Sequence, residues 1–305
     1  MKILVTGGAG FIGSNVVDNY IQMGHEVTII DNLSRGKEEN INPKAKFINM
    51  DITDPKLPEV FAEGEFNLVN HHAAMINVRE SVDKPIEYEN NNTLGLVNLL
   101  KNCANYKVKK IINVSSGGVV YGNPEKLPPK EDVAFNPLSP YALTKVCGEY
   151  WVNYYNNQFG LEYTNLRYAN IYGPRQSTEG GAGVIAIFAK MMLKNEQPVI
   201  YGDGNIGRDY VYVSDIAQIN ALCIENGTNE SFNVGTGRST TVNEIFELVK
   251  KSTAYQDTAK HEDEKPGEVK DNYLDASRAK EILGWEPKVT LEEGIAKTVE
   301  YFKTL

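Results

Sequence analysis

A tyrosine and a lysine four residues apart are the first candidates for chemistry in this sequence. Tyr141 and Lys145 fall in a stretch that predicts a helix from Pro140 to about Phe159, so their side chains share one helical face. A phenol with a pKa near ~10 is a weak base at neutral pH. An ammonium on the next turn and a cationic ring nearby would favour the phenolate and lower that pKa. The spacing alone is common, and an ordinary amphipathic helix is the alternative.

The N-terminus predicts a binding site for a dinucleotide. Lys2–Thr6 is a short β-branched run that predicts a strand, and it leads directly into a G-x-x-G-x-x-G pattern at Gly7, Gly10 and Gly13. A helix is predicted from Phe11 to about Met23. Gly7 permits the tight turn, Gly10 exposes bare backbone to a pyrophosphate at the helix N-terminus, and Gly13 lets helix and strand pack closely. An ordinary glycine-rich turn is the alternative for the pattern by itself.

An acidic residue follows the second predicted strand, at the distance that such a site requires. Val27–Ile30 predicts a buried strand that ends at Asp31, about 20 residues beyond the glycines. A carboxylate there can accept hydrogen bonds from ribose hydroxyls and repels a 2′-phosphate, so the sequence predicts NAD rather than NADP. Asp51 follows a third predicted strand at Lys46–Asn49. It is a candidate for binding the adenine amino group, although a simple loop aspartate is an equal alternative.

Alternating strands and helices must position these residues. The pattern predicts an α/β fold: a doubly wound parallel (Rossmann) sheet with a smaller C-terminal substrate-binding lobe. We expect a dinucleotide-binding domain over residues 1–170, with a return strand near 210–235, and a lobe over 171–305 that mainly binds substrate. With this fold, Tyr141 becomes a base that takes a hydroxyl proton while hydride leaves the same carbon.

Composition narrows the partners. The chain has 305 residues, of which 41% are hydrophobic and 23% charged, as in an ordinary globular protein. The net charge of −9 makes nucleic acid an improbable partner. We see no apolar run long enough for a membrane span and no secretory signal. The three cysteines are unpatterned, which indicates a reducing, cytoplasmic setting without a metal site. The adjacent His71 and His72 would point to opposite faces of a strand, so they are a poor metal pair.

Taken together, these motifs resemble the extended short-chain dehydrogenase/reductases, and within them the nucleotide-sugar epimerases typified by UDP-glucose 4-epimerase. The resemblance covers essentially the whole chain. It is carried by the glycine loop with its two aspartates, the Tyr141/Lys145 pair, the run at 167–176 (RYANIYGPRQ), and Gly202-Asp203-Gly204 followed by 208–211 (RDYV).

The resemblance implies a role for each matching position. The implied cofactor-binding residues are Gly7, Gly10, Phe11, Ile12, Gly13, Asp31, Asn32, Asp51, Ile52, Ala73, Ala74, Asn92, Ser115, Tyr141, Lys145 and Tyr168. The implied substrate-binding residues are Asn170, Val184, Ile200, Tyr201, Arg208, Lys265, Glu268 and Asn272. Arg208 would bind the diphosphate with its forked donors, unless it forms a surface ion pair with Asp209. Glu268 would bind the ribose hydroxyls, and a solvated charge is the alternative.

Two positions depart from the family pattern. The family's catalytic Ser or Thr lies four residues before the tyrosine of a V-Y-G turn, which is Val120-Tyr121-Gly122 in this sequence. Four residues before Tyr121 is Gly117. Ser116, one residue earlier, is our candidate for the third catalytic residue beside Tyr141 and Lys145. A water molecule in its place, or proton transfer through Tyr141 alone, are alternatives. Lys265 stands where the family usually has arginine, so its grip on a diphosphate would lack a bidentate fork.

The implied activity is NAD-dependent epimerisation at C4 of a UDP-hexose, UDP-galactose/UDP-glucose, through a transient 4-keto sugar. A UDP-N-acetylhexosamine or a UDP-glucuronate is an alternative substrate, because Asn272 is small where the family limits the 2-substituent. A dehydratase, a decarboxylase or a non-catalytic NAD-binding protein are further alternatives. The resemblance also implies a homodimer through helices at about 85–106 and 140–159, with Leu96, Leu99, Leu100 and Tyr154 facing outward or else in the core.

Overall fold

The fold is taken from a computed structural model that describes residues 1–179, 183–264 and 271–305. The strands are β1 (Lys2–Thr6), β2 (Glu26–Asp31), β3 (Lys46–Asn49), β4 (Leu68–His71), β5 (Lys110–Ser116), β6 (Glu162–Tyr168), β7 (Asn170–Tyr172), β8 (Val199–Tyr201), β9 (Gly207–Arg208), β10 (Tyr210–Tyr212), β11 (Glu230–Val234), β12 (Thr240–Thr241) and β13 (Lys260–Glu262). The helices are α1 (Phe11–Gln22), α2 (Leu57–Gly64), α3 (Val78–Asp83), α4 (Pro85–Tyr88), α5 (Gly95–Asn105), α6 (Gly117–Val120), α7 (Pro140–Phe159), α8 (Val184–Leu193), α9 (Val213–Leu222), α10 (Val242–Thr253), α11 (Ser277–Leu283) and α12 (Leu291–Lys303).

Seven parallel strands form the central sheet, in the order β11-β6-β5-β4-β1-β2-β3. After β1 the chain adds β2 and β3 on one side of it. The chain then crosses over to β4 on the other side of β1 and adds β5, β6 and β11 beyond β4. The strand order therefore reverses between β1 and β4, and a crevice opens beyond the carboxyl ends of these strands, where such folds bind ligands. The predicted doubly wound parallel sheet is confirmed.

Helices cover both faces of the sheet because alternate strand residues are apolar on each side. Ile3 and Val5 pack with α1, α9 and α11 on one face. Leu4 and Ile30 pack with α2, α5 and α7 on the other. This arrangement fixes α7, with Tyr141 and Lys145, against the carboxyl half of β5 and β6.

The C-terminal part builds a second core from α8, α10 and α12, centred on Phe188, Phe246 and Val299. Of the two strands in the predicted return segment at 210–235, β11 joins the large sheet, whereas β10 pairs with β7 outside it. The division at residue 170 stays a prediction. Across the described residues, we find no helix that combines the length and apolarity needed to cross a membrane.

The single helix predicted over 85–106 is interrupted. A π-helical segment, Glu89–Leu94, separates α4 from α5. Leu96, Leu99 and Leu100 were candidates for an outward-facing surface, and that is wrong: all three are at most 2% exposed. The apolar stripe of α5 packs on the sheet, so its other side faces solvent. Tyr154, by contrast, is 48% exposed.

Candidate active site

Steric constraints account for two of the three glycines in the first turn. Gly7 has a φ of +70°, which favours glycine, and a Cβ there would lie 2.6 Å from the backbone nitrogen of Ala73. A Cβ at Gly13 would overlap the carbonyl oxygen of Gly7. Gly10 differs, since the nearest atom to its Cβ would be that same oxygen at 3.1 Å. Gly13 is thus needed for the fold, whereas Gly10 leaves the backbone open on its outer side.

The N-terminus of α1 is built to receive an anion. Gly10 is its N-cap residue, in extended conformation, and no side chain caps the helix there. Phe11 and Ile12 begin the first turn, and both are half-buried. The N–H groups of a first helical turn have no partner within the helix, and the helix dipole favours negative charge beside them. Bare backbone and an uncapped helix fit the pyrophosphate of a dinucleotide.

Asp31 lies at the end of β2, close to this turn. Its Oδ2 accepts a hydrogen bond from the backbone N–H of Ala9 (3.0 Å), and its Oδ1 accepts one from Leu33 (2.9 Å). Burial raises the pKa of this carboxyl, while both N–H groups oppose the shift. Each oxygen keeps lone pairs in addition to its backbone bond. The two bonds fix the orientation of the carboxylate, and its contact with ribose hydroxyls stays a prediction.

Asn32 and Asp51 form the outer edge of the crevice. The Asn32 side chain donates to Asp51 Oδ2 at 2.7 Å, and Thr53 donates to Oδ1 through its backbone and its hydroxyl. Burial would raise the pKa of Asp51, but the bonds from Thr53 and Asn32 outweigh it and lower the pKa. Ile52 is buried next to them, against Gly95. Asp51 therefore carries a negative charge at the edge of the crevice.

Ala73 and Ala74 line a small polar cavity together with Asn92 and Lys145. Asn92 belongs to the π-helical segment. Its side chain accepts from the N–H of Met75 at 2.8 Å and donates to the carbonyl of Met75 at 2.9 Å and to the Thr144 hydroxyl at 3.1 Å. The Asn92 side chain thus uses most of its hydrogen-bonding groups to join the segment at Met75 to Thr144 on α7. Its contact with a cofactor stays a prediction.

Ser116, Tyr141 and Lys145 meet at the carboxyl end of the sheet. The Ser116 side chain faces the Tyr141 hydroxyl and opposes the rise in its pKa. The Lys145 Nζ lies 5.8 Å from the centre of the Tyr141 ring and donates to the Val114 carbonyl at 2.9 Å. Ser139 caps α7 by accepting from Ala142, so the helix begins one residue before Tyr141. The structure brings together the three residues that the sequence analysis selected for catalysis.

In the protein without a cofactor the pKa of Tyr141 is raised, and its predicted lowering beside a cationic ring stays a prediction. Burial raises the pKa of Tyr141 to about 12, and the hydrogen bond from Ser116 only partly opposes this. Burial also lowers the pKa of Lys145 to about 8, against the charge of Glu149. The low-polarity surroundings disfavour both charged forms. A cationic ligand beside Tyr141 is therefore needed to make it a base near neutral pH.

Gly117 and Gly118 have different surroundings, which bear on the choice of Ser116 as the third catalytic candidate. A Cβ at Gly117 would overlap Leu274, so a side chain here would point into the core. A Cβ at Gly118 would instead lie 3.9 Å from the Ser116 hydroxyl, on the open side. The Gly118 carbonyl accepts a hydrogen bond from the Asn272 side chain. The hydroxyl on the open side of the turn thus belongs to Ser116, one residue earlier than in the family pattern. Asn272, from the C-terminal part of the chain, bonds to this turn.

A buried network beside the site was missed by the sequence analysis. Arg167 binds Glu149 with two parallel hydrogen bonds and also bonds the hydroxyl of Tyr121. A signal was present, because Glu149 continues the four-residue spacing of Tyr141 and Lys145 along α7. Residues at this spacing share one side of a predicted helix, so Glu149 could be expected on the same side as Tyr141 and Lys145.

The predicted substrate residues are only partly brought together. Arg208 forms a β-bridge with Asn272, and the N–H of Asn170 bonds the carbonyl of Asp209 at 2.9 Å. The alternative ion pair between Arg208 and Asp209 is not formed: the Asp209 carboxylate accepts from Thr236, Gly237 and Leu274. Backbone hydrogen bonds thus connect the three segments that carry Arg208, Asn272 and Asn170.

The other predicted contacts have varied positions. Val184 is half-buried at the start of α8, and Tyr201 is exposed on β8. The Ile200 side chain lies in the core of the C-terminal part. Tyr168 is also in a core, where its hydroxyl accepts from Asn220 at 2.7 Å, so only its backbone can face a ligand. Ser115 is buried, and its hydroxyl has no partner. Lys265 and Glu268 lie outside the described residues.

Comparison with known proteins decides the family. The model of the GDP-mannose 4,6-dehydratase family matches residues 4–298. The chain belongs to the extended short-chain dehydrogenase/reductase family. The resemblance found from its motifs is confirmed.

Three solved structures in this family show how similar the fold is. A UDP-glucose 4-epimerase of Thermotoga maritima, solved with UDP-glucose, has a TM-score of 0.98 and 47% identity, covering 100% of this chain and 99% of its own. A UDP-glucose 4-epimerase of Thermus thermophilus in complex with NAD has a TM-score of 0.95 and 38% identity, covering 99% of both chains. A UDP-N-acetylglucosamine 4-epimerase of Methanobrevibacter ruminantium, in complex with UDP-N-acetylmuramic acid, has a TM-score of 0.94 and 38% identity, covering 99% and 98%.

Proposed function

We propose that this protein is an NAD-dependent epimerase that inverts C4 of a UDP-hexose. The observation that carries the proposal is the meeting of Tyr141 with Lys145, whose Nζ lies 5.8 Å from the Tyr141 ring centre, and with Ser116, beside a glycine turn fit for a dinucleotide. Similar proteins solved with UDP-glucose and with NAD support the same activity.

The residues present suit the parts of NAD. The N-terminus of α1 would hold the pyrophosphate, Asp31 the adenosine ribose, and Lys145 the end that reacts. When bound, NAD would supply a hydride acceptor and a positive charge near Tyr141. Tyr141 would then take the proton of the 4-hydroxyl, with Ser116 donating to the oxygen that carries the charge. Return of the hydride to C4 on the other face of the 4-keto sugar, with the proton returned to the C4 oxygen, would complete the inversion.

The turn after β5 favours epimerisation over dehydration, although the matching family model is that of a dehydratase. Elimination of water needs a general acid that protonates the leaving hydroxyl. Here the positions between Ser116 and the V-Y-G turn are Gly117, Gly118 and Val119, which carry no acid. Chemistry that needs only a proton and a hydride shuttle fits these residues better.

UDP-glucose and UDP-galactose are our first choice of substrate, and a UDP-N-acetylhexosamine is the second. Asn272 favours the second, because it is shorter than a tyrosine and its side chain is held to the Gly118 carbonyl. The M. ruminantium enzyme, which is named for UDP-N-acetylglucosamine, is 38% identical. UDP-glucuronate remains a third arm of the substrate test.

The decisive test is an assay of the purified protein with NAD and with UDP-glucose, UDP-N-acetylglucosamine or UDP-glucuronate, with product configuration read by NMR. We expect inversion at C4 of a UDP-hexose. Tyr141→Phe should lower kcat by about 10²–10⁴-fold, the range for loss of a general acid–base group. Tyr154→Phe, on the exposed side of α7, is the matched control and should keep the wild-type rate. Absence of inversion with every sugar, or full activity of Tyr141→Phe, would exclude the proposal.

We also propose a homodimer, formed through the outer sides of the π-helical segment and α7. Leu94, Leu143, Tyr150 and Tyr154 are between 45% and 65% exposed there. Contiguous apolar surface of this kind marks interaction sites. The three free cysteines support a reducing, cytoplasmic location.

A further inference from the structure

A buried ion pair joins the two structural elements that carry the candidate catalytic residues. Arg167, near the end of β6, donates from Nε to Glu149 Oε1 at 2.9 Å and from Nη2 to Oε2 at 2.8 Å. The two side chains are only 6% and 5% exposed. Arg167 also donates from Nη1 to the Tyr121 hydroxyl at 2.7 Å, and its guanidinium lies 4.7 Å from the centre of the Phe135 ring. Glu149 belongs to α7 and Tyr121 to the turn after Ser116, so the pair links these two elements.

Glu149 is also placed to act on Lys145. Tyr141, Lys145 and Glu149 follow one another at four-residue intervals, so they lie along one side of α7. The Lys145 ammonium donates to the carbonyl of Val114, a neutral acceptor. Glu149 places a carboxylate one helical turn beyond Lys145, and both of its oxygens accept hydrogen bonds from Arg167, so the effect of Glu149 on Lys145 depends on how far Arg167 neutralises it.

Within the described part of the chain, the other titratable groups around Lys145 do not supply a negative charge. His71 and His72 face it from the end of β4, and burial lowers the pKa of both to about 3, so they are neutral at physiological pH. Tyr141 faces it from α7 and is likewise neutral at that pH. Burial lowers the pKa of Lys145 to about 8, and Glu149 is the group that opposes this.

We propose that Glu149 and Arg167 are positioning residues for the site: their buried ion pair, with the Arg167 bond to Tyr121, holds the Ser116 turn against α7, and the charge of Glu149, moderated by Arg167, acts on Lys145 from the next turn of the helix. The catalytic meaning of this pair rests on the proposed function. Its electrostatic part concerns the protein without cofactor or substrate and can be measured separately.

The first measurement is the titration of Lys145 by NMR in cofactor-free protein with ¹³C-labelled lysine, its signal assigned with Lys145→Met. Glu149→Gln should lower the pKa of Lys145 by about one unit, a tenfold change in its protonation equilibrium. Arg167→Gln should raise that pKa, because Glu149 then acts without its counter-ion. Shifts of opposite sign are not expected from loss of structure. If Glu149→Gln does not fold, Arg167→Gln alone decides, and an unchanged or lowered pKa overturns the proposal.

Glu131→Gln is the matched control. The Glu131 carboxylate bonds the N–H of Asn233 in the same network but does not lie on α7. This variant should lose some thermal stability and leave the Lys145 titration in place. An equal shift in this control, or no shift in Glu149→Gln, would contradict the proposal.

The second measurement is the pH profile of kcat/KM for the sugar substrate. The alkaline limb should move to lower pH in Glu149→Gln, in parallel with the NMR titration. If the NMR shifts occur but no sugar is epimerised by the wild type, the electrostatic role stands and the proposed function fails. If the wild type is active and the limb does not follow the NMR shift, Lys145 protonation is not what Glu149 contributes to catalysis.

Discussion

At the scale of single residues, the position of Ser116 carries a sharp prediction. Ser116→Ala should lower kcat by about 10–100-fold, the loss expected for one hydrogen bond to a group that becomes charged. Ser116→Thr keeps the hydroxyl and should stay close to the wild-type rate. The measurement is kcat for the best sugar substrate.

The neighbouring glycine provides the control for this prediction. A side chain at Gly117 would overlap Leu274, so adding Gly117→Ser to Ser116→Ala should not restore activity. Recovery in that double variant would show that the hydroxyl belongs at residue 117 and that our assignment of the turn is wrong.

Most catalytic candidates could be predicted from the sequence, because each comes from local spacing. Tyr141 and Lys145 follow from one helical turn, and Asp31 from the end of a strand. The rise in the pKa of Tyr141 in the cofactor-free protein could not be predicted, because burial arises from packing of distant segments, whereas the sequence pointed to the charges of Lys145 and of a bound cationic ring. The pairing of Arg167 with Glu149 also depends on how β6 meets α7.

At the scale of elements, the strands of the large sheet were predictable because buried parallel strands are continuous apolar runs. The helix over 85–106 was less predictable, because tertiary bonds of Asn92 to Met75 and Thr144 accompany its π-helical interruption. It also could not tell that β10 leaves the sheet while β11 joins it, since strand partners are set by long-range contacts.

Two glycines of the first turn give a prediction that separates fold from ligand binding. Gly13→Ala should lower the free energy of unfolding by about 1–3 kcal/mol, because its Cβ would overlap the Gly7 carbonyl. Gly10→Ala should cost less than 1 kcal/mol, since its Cβ meets one atom at 3.1 Å, yet it should weaken NAD binding at least about tenfold by obstructing the anion site. Urea unfolding of the cofactor-free protein and calorimetric titration with NAD measure the two effects. If the variant that loses more unfolding free energy were also the one that binds NAD more weakly, this division of roles would be contradicted.

At the scale of the whole molecule, the exposed side of α7 should decide the oligomeric state. Tyr154 is 48% exposed next to Trp151, with Tyr150 at 65% on the same helix. An interface centred on aromatic side chains does not tolerate a buried unpaired carboxylate. Tyr154→Glu should therefore convert a dimer into monomers in sedimentation velocity, with the secondary structure retained.

Ile282→Glu is the control that makes this outcome specific. Ile282 is 47% exposed, which matches Tyr154, but it lies on α11, which packs on the other face of the sheet. Its variant should stay dimeric. Because Tyr141 and Lys145 belong to the same helix as Tyr154, the monomeric variant should also bind NAD less tightly if the partner subunit stiffens α7. A wild-type protein that sediments as a monomer, or dissociation caused equally by Ile282→Glu, would exclude α7 as the dimer interface.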